Sequence, residues 1–413
     1  MQRLLVPSLV CFLIVTPGVR ADDPPAKKDQ AADAKQSVVA TEFKAIKQKT
    51  DAELRKQSAK LEKDYVAAKT EPAREAIQLR GIEESGKVLG PAAEKLMPVL
   101  RQHPADPAAV EALAWVVNSR RESALGNEAV EILIKHHLLH KQTLELAFRN
   151  KRAPMGWTEK LLRAQLAAPN LAASERPRVL LALAMVKQSQ SQLPAMLADM
   201  STEQIQLMNQ LYGPAMVAKF RKIDVPATEA ETVRLFTELG DKYPEQKVAA
   251  NLTYGSLAKS SIFEIQNLSV GKPAPEIAGE DLDGAKFKLS DFKGKVVMLS
   301  FWGTWCGPCM ALVPHEREIV ERFKGKPFAL IGVNSDTDKE QVHKALEKSK
   351  ITWRSFWCGD KGVFGPIPTA WNVNSWPTVY VLDQKGIIRA KQTMGKSLDV
   401  VLEKLVAEVE VQK

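Results

Sequence analysis

Apolar residues recur every three to four positions from about residue 41 to residue 265, so this stretch is predicted to be helical almost throughout. Proline or glycine separates the periodic segments, which indicates a series of helices joined by short turns. Helices of this length and spacing are typical of an α-solenoid or an irregular bundle. No clean repeat of about 34 residues decides between the two.

The pattern changes at 267–277, "NLSVGKPAPEI", where two prolines and a glycine mark a boundary. After it, short β-type runs alternate with helical segments, which predicts an α/β domain with a mixed sheet. The predicted strands are 287–290, 295–302, 328–334, 352–357, 378–383 and 386–392, and the predicted helices are 308–323, 338–349 and 397–411. The fold class is therefore multidomain: an all-helical region at 41–266, solenoid or bundle, followed by an α/β domain at 267–413.

The first residues have the layout of a secretory signal: Arg3, an apolar run over 4–15, and small residues before a polar stretch. The sequence predicts a signal peptide at 1–21 with cleavage after Ala21. The apolar run is shorter than the roughly 20 residues that a membrane span needs, and an uncleaved segment would instead anchor the chain. Residues 22–40 are polar and rich in alanine and proline, so we expect a flexible linker.

Charge and cysteine content narrow the function classes. The net charge is +9, but acidic residues interleave the lysines and no basic cluster with aromatics is present, which argues against nucleic-acid binding. The chain has four cysteines, and cleavage would leave Cys306, Cys309 and Cys358. So few cysteines do not make a disulfide-stapled scaffold. We expect Cys358 to be a free, partly buried thiol.

The cysteine pair lies in "SFWGTWCGPCMALVP", residues 300–314, between a predicted strand and a predicted helix. Cys306 is expected at the helix N-terminus, where unpaired N–H groups and the helix dipole favour thiolate over thiol. Cys309 lies one turn inward, close enough to attack a mixed disulfide on Cys306. Pro308 suits the first turn because no N–H is needed there.

Two other roles for the cysteine pair, zinc binding and a structural disulfide, are less well supported by the sequence. Zinc would require two more ligands, and Cys358 and His315 are the candidates nearby. A purely structural disulfide closing so small a loop would add little stability. The spacing therefore favours redox chemistry.

The run "FWGTWCGPC" resembles the active-site sequence of thioredoxin-fold oxidoreductases, in particular the exported TlpA/ResA-like branch that is classed with the redoxin and AhpC/TSA families. "GKPAPEI" and "DLDGAKFKLSDFKGKVV" are similar to the N-terminal hairpin of that branch. Pro314 matches its helix-kinking proline, and "WPTVYVLDQKGII" matches its cis-proline loop, with Pro377 as the cis-proline. The resemblance covers about 270–410 and implies a thioredoxin fold there.

The resemblance also implies an activity, that of an exported, periplasmic or extracytoplasmic thiol:disulfide oxidoreductase in which Cys306 is the nucleophile and Cys309 the resolving cysteine. It implies no metal, flavin or nucleotide, the redox-active disulfide Cys306–Cys309 being the redox group. The partners it implies are protein disulfide substrates and a membrane thiol donor of the DsbD/CcdA type. We expect the helical domain to bind a protein partner or to set the oligomeric state. The Gly-Pro dipeptide between the cysteines favours a reductant. The expected substrate-binding residues are Trp305, Gly307, Pro308, Trp376 and Pro377.

Two departures from the family concern a proton acceptor for Cys309. The family's carboxylates are replaced by Ser300 and Leu312, and His315 and Glu316 are expected on a solvated helix face. The resolving step is therefore expected to be slow and to accelerate as pH rises.

Two alternative functions stay open. A peroxiredoxin-type thiol peroxidase would carry the pattern P-x-x-x-[TS]-x-x-C, which fails here at Leu299 and Gly303. The other alternative is a helical-repeat interaction protein with an ancillary redox domain.

Overall fold

The structure is a computed structural model that describes residues 37–120, 122–198, 200, 202–250 and 252–411. The chain divides into two compact units between Tyr243 and Pro244. The predicted signal peptide, 1–21, and most of the predicted linker lie outside the described residues. Residues 38–40 of that linker belong to the first helix.

The first unit is helical, as the periodicity predicts. Helix α7 is buried along a nearly continuous run from Val179 to Ala184, and it packs against α5, α6, α9 and α10. A helix that is apolar on nearly every side belongs in the interior. The helices of this unit are α1 Val38–Ala67, α2 Glu71–Gln102, α3 Ala109–Arg120, α4 Ala124–His137, α5 Lys141–Arg149, α6 Gly156–Ala167, α7 Arg176–Ala198, α8 Thr202–Tyr212, α9 Pro214–Arg221 and α10 Val225–Lys242.

The second unit begins with a short hairpin, β1 Lys247–Ala249 and β2 Leu252–Thr253, and helix α11, Tyr254–Asn267. Thr253 and Ser256 form a capping box at the start of α11. The helical periodicity of the sequence places α11 in the predicted helical domain at 41–266. In the structure α11 belongs to the same compact unit as the α/β domain, so the helical periodicity continues past the division between the units.

A five-stranded mixed sheet forms the centre of this unit, with the order β7-β6-β5-β8-β9. Strands β5, β6 and β7 are parallel, and β8 and β9 run antiparallel. This is the thioredoxin fold with a mixed sheet that the motif resemblance predicts. The remaining elements are β3 Ala278–Glu280, β4 Lys286–Lys288, β5 Val296–Trp302, α12 Gly307–Arg322, β6 Phe328–Asn334, α13 Lys339–Ser349, β7 Ser355–Trp357, α14 Pro366–Ala370, β8 Thr378–Leu382, β9 Ile388–Lys391 and α15 Lys396–Val411.

Strand β5 is buried over its whole length and separates two cores. Because side chains alternate across a strand, Met298 and Trp302 face the core shared with α12, α13 and α15. Leu299 and Phe301 face the opposite core, which contains Trp371 and Tyr380. Ser300 has the parity of Met298 and Trp302, so a polar side chain interrupts the face that packs against α12.

Two strand predictions were too long, and the pattern did not predict strand β3, which pairs with β4 in the segment that resembles the family's N-terminal hairpin. The segment after Lys288 forms a 3-10 turn, Leu289–Phe292, in which the Asp291 carboxylate accepts from the Lys288 N–H. The segment before β7 is irregular, and the Arg354 side chain reaches the Asp281 carboxylate. Strand β3 was not predicted because it has three residues, one of them a glycine. Among the helices of the described ranges, none is long and apolar enough to cross a membrane.

Candidate active site

The cysteine pair lies where β5 meets α12, as predicted. Cys306 is the N-cap of α12, and its Sγ accepts a hydrogen bond from the Cys309 N–H at 3.1 Å. Gly307 and Pro308 form the first turn, where the missing N–H of proline costs nothing. The two cysteines form a disulfide with their Cα atoms 5.2 Å apart.

Exposure does not distinguish the two cysteines in this oxidised form, because Cys306 is 4% exposed and Cys309 is 3% exposed. Exposure therefore gives no reason to prefer either cysteine as the nucleophile. Their positions on the helix do differ. Cys306 lies at the positive end of the helix dipole and faces an N–H donor, an environment that favours a thiolate.

Two tryptophans flank the pair. Trp305 is 53% exposed, and its ring lies edge-on to the ring of Trp376 with the centroids 5.7 Å apart. The peptide bond between Trp376 and Pro377 is cis, as the motif resemblance predicts. A Cβ atom at position 303 would lie 2.6 Å from the Trp305 indole nitrogen, so glycine there lets the indole fold back over the loop.

The loop before Cys306 is tied to the end of β6, a contact that the sequence analysis missed. The Asp336 carboxylate accepts from the Thr304 N–H at 2.9 Å, from the Thr304 hydroxyl at 2.5 Å and from the Asn334 amide at 2.7 Å. The indole N–H of Trp376 donates to the Ser335 hydroxyl at 3.1 Å. The end of β6 therefore contacts both the motif loop and the cis-proline loop.

A signal for this contact was present in the sequence. Three polar residues directly follow a buried strand, and the carboxyl ends of neighbouring parallel strands meet at one edge of a sheet.

The expectation that Glu316 lies on a solvated face is wrong. Glu316 is 5% exposed, and its Oε1 accepts from the Ser300 hydroxyl at 2.8 Å. Burial raises the pKa of Glu316 to about 7, although the hydrogen bond from Ser300 acts in the opposite direction. The buried side of α12 carries Cys309, Val313 and Glu316 at helical spacing. This spacing in the sequence could have revealed that Glu316 is buried.

Three other residues that the sequence singles out in this region are His315, Leu312 and Cys358. His315 is partly exposed, and its Nε2 lies 3.0 Å from an Asp399 oxygen. Leu312 is half-buried. Cys358 is free and buried, which confirms the predicted free thiol, and its Sγ lies 3.7 Å from the Ser335 hydroxyl. Burial raises the pKa of Cys358 to about 12, so it is a neutral thiol at physiological pH.

Comparison with known proteins finds matches to the second unit. Residues 270–391 match the model of the AhpC/TSA family. The thiol-disulfide oxidoreductase ResA of Bacillus thuringiensis subsp. konkukian is 34% identical over 121 residues, which cover 29% of this chain and 68% of that protein. The thioredoxin-like protein YneN of Bacillus subtilis is 33% identical over 140 residues, which cover 32% of this chain and 79% of that protein.

Solved structures match the same third of the chain. The thioredoxin domain of a thiol-disulfide oxidoreductase from Bacteroides vulgatus is 33% identical, with a TM-score of 0.32, and the match covers 34% of this chain and 99% of that one. A secreted thiol-disulfide isomerase from Corynebacterium glutamicum is 26% identical, with a TM-score of 0.29, over 33% of this chain and 84% of that one.

Proposed function

Because the chain belongs to the ResA-like family of thiol-disulfide oxidoreductases, we propose that it reduces disulfide bonds of exported proteins through Cys306 and Cys309. The observation that carries the proposal is the bonded pair at the start of α12, with the Cys306 sulfur facing the Cys309 N–H. Such a position stabilises the thiolate that must attack a disulfide.

The reaction proceeds in two exchanges. The Cys306 thiolate attacks one sulfur of the substrate disulfide, forms a mixed disulfide and releases the other substrate sulfur as a thiolate. Cys309 then loses its proton and attacks the Cys306 sulfur. The products are the Cys306–Cys309 disulfide and a substrate with two thiols, so two electrons pass from the protein to the substrate.

Trp305, Gly307, Pro308, Trp376 and Pro377 receive the substrate chain in this proposal. The two indoles face each other beside the pair, and each offers an apolar surface with a polar edge, which suits a polypeptide. The Gly-Pro dipeptide favours the reducing direction. The disulfide itself carries the electrons, and no metal, flavin or nucleotide takes part.

The remaining assignments rest on the sequence and on the family. The signal layout of residues 1–21 supports export. An exported reductant must be recharged by another dithiol, and we assign this step to a membrane thiol donor of the DsbD/CcdA type. The helical unit binds a protein partner.

Trapping of intermediates tests the proposal. The Cys309→Ser variant should accumulate mixed disulfides with protein substrates, because the attacking thiol is present and the resolving thiol is missing. The Cys306→Ser variant should accumulate none. The native protein should also catalyse reduction of insulin by dithiothreitol and should not consume peroxide.

Two results would overturn the assignment. Mixed disulfides through Cys309 in the Cys306→Ser variant would exchange the roles of the two cysteines. Rapid peroxide consumption without insulin reduction would make the chain a thiol peroxidase.

A further inference from the structure

Glu316 is a buried carboxyl group on the same side of α12 as the resolving cysteine. Glu316 follows Cys309 by seven positions, which places the two about 20° apart around the helix and about 10 Å apart along its axis. Side chains of a helix tilt toward its N-terminus, so the carboxyl group leans back toward the cysteine. Val313, between them, is buried in the same core.

Ser300 bridges this helix face to the sheet. Its hydroxyl donates to Glu316, and it shares a strand face with Trp302, which packs in the same core as Cys306 and Cys309. A hydroxyl can donate one hydrogen bond while it accepts another, so it can pass a proton between two groups. Ser300 thus lies on the face of β5 that packs in the core containing Cys309, and its hydroxyl contacts Glu316.

No cation pairs with Glu316 in the described part of the chain, where Ser300 is its hydrogen-bond partner. The charged groups on the surrounding elements bind elsewhere. On α12 and α15, His315 and Arg322 both contact Asp399. At the end of β6, Asp336 binds Thr304 and Asn334.

Arg322 also contacts Glu403, so the charges of α15 are paired away from Glu316. A buried carboxyl group without a cation is costly to ionise, so burial raises the pKa of Glu316 to about 7. The group can therefore gain and lose its proton near neutral pH.

We propose that Glu316 accepts the proton of Cys309 during resolution of the mixed disulfide, with the Ser300 hydroxyl as the relay. The Ser300 oxygen accepts the proton of the Cys309 thiol as its own proton passes to the Glu316 carboxylate. The Cys309 thiolate then attacks the Cys306 sulfur, and the substrate leaves as a thiolate. Glu316 later returns its proton to solvent or to the leaving thiolate. This inference rests on the proposed function, since it concerns that reaction's second exchange.

The test separates the two exchanges. Reduced protein is mixed with glutathione disulfide, quenched with acid at intervals from pH 5 to pH 9, and the glutathione adduct on Cys306 is followed by mass spectrometry. In the native protein, adduct decay should accelerate through about pH 7 and then level off. In Glu316→Gln, decay at pH 7 should be at least about 10-fold slower and should keep accelerating to high pH. Adduct formation should change by less than about twofold.

Matched variants make the result specific. His315→Gln alters a titratable neighbour that faces Asp399 and should leave the decay profile unchanged. Ser300→Ala keeps the carboxyl group, removes the relay and should slow decay as well. In the Glu316→Gln background, Ser300→Asp returns a carboxyl group to the same interface and should restore fast decay.

Each outcome has a distinct meaning. Absence of the adduct in the native protein and in Cys309→Ser would overturn the proposed function itself. A decay profile that Glu316→Gln leaves unchanged would overturn this inference alone. Normal decay in Ser300→Ala with slow decay in Glu316→Gln would overturn the relay. If Glu316→Gln fails to fold, Ser300→Ala decides by the same measurement, and native decay in that variant overturns the inference.

Discussion

At the scale of single residues, Trp376 connects the cis-proline loop to the rest of the site. Its indole N–H donates to the Ser335 hydroxyl, and its ring packs edge-on against the exposed Trp305. Aromatic pairs of this geometry are worth about 0.5–1.5 kcal/mol beyond the area that they bury. Trp376 therefore both shapes the surface beside the disulfide and restrains Trp305.

We expect Trp376→Ala to reduce turnover of protein disulfides about 10-fold or more, because a polypeptide needs the indole surface. Reduction of a small disulfide should fall much less, since the cysteine pair is untouched. Steady-state rates with insulin and with glutathione disulfide measure the difference. Ser335→Ala keeps the indole, removes its hydrogen bond together with the contact to the Cys358 sulfur, and should give a smaller effect of the same kind. Equal losses on both substrates would make Trp376 a packing residue.

The sequence predicted the residues that act through local geometry. Cys306, Cys309 and the cis-proline at 377 could be placed because strand, helix start and proline loop have short-range signatures. Glu316 was wrongly predicted to be solvated together with its neighbour His315. His315 does lie on a partly exposed side of α12, whereas Glu316 lies on the buried side. Which side of a helix is solvated depends on the elements that pack against it, here β5, and one sequence does not give that packing.

At the scale of elements, the interface between α12 and β5 contains the Ser300–Glu316 contact within an otherwise apolar core. The pKa of Glu316 is raised from 4.5 to about 7, so the folded state binds this proton more tightly than the unfolded state does. The contribution of Glu316 to the free energy of unfolding is fully present below about pH 4.5, and it is lost as pH rises through about 7. The difference between the two pKa values corresponds to about 3 kcal/mol in the free energy of unfolding.

We therefore expect the free energy of unfolding of Glu316→Gln to vary less with pH than that of the native protein. Glutamine stays neutral and can still accept from Ser300, so the variant should exceed the native protein by about 3 kcal/mol at pH 8 and match it near pH 4. Urea unfolding of both proteins in the oxidised form, from pH 4 to pH 8.5, measures this. Two parallel curves would contradict the burial of an ionisable carboxyl group.

Element prediction succeeded where the pattern was long and regular. Strands β5, β6 and β8 and helices α12, α13 and α15 lie within a few residues of their predicted ranges. The three-residue strands were missed or extended, because three positions are too few to reveal an alternating pattern. The ends of these strands are set by side-chain contacts, such as that of Arg354 with Asp281.

At the scale of the whole molecule, the chain consists of two compact units that meet in sequence at Pro244. Helix α11 contacts the α/β domain through Glu264 and Ser260. Glu264 pairs with Lys391 at 2.7 Å, and the Ser260 hydroxyl donates to Asn372. Lys391 lies over the buried Tyr380 ring. Truncation of α11 would remove the carboxylate that neutralises this lysine.

We expect a fragment of residues 244–413 to fold and to reduce a small disulfide as fast as the full chain, because every residue of the site lies within it. A fragment of residues 268–413 should be less stable by about 3 kcal/mol, since it loses buried Ile265 and leaves Lys391 without its partner. Urea unfolding of both fragments measures the difference. Glu264→Gln in the longer fragment isolates the ion pair, and equal stability of the two fragments would contradict the role of α11.

The contacts of α11 with the α/β domain also affect which segment of the gene must be transferred together when such a domain recombines into another protein. Family similarity starts at residue 270, after the helix has ended. A recombination event that transferred only the matching segment would omit α11 and leave Lys391 without Glu264, so we expect the transferred domain to be less stable. The unit that folds stably is therefore expected to be longer than the segment that matches the family model, because it includes α11.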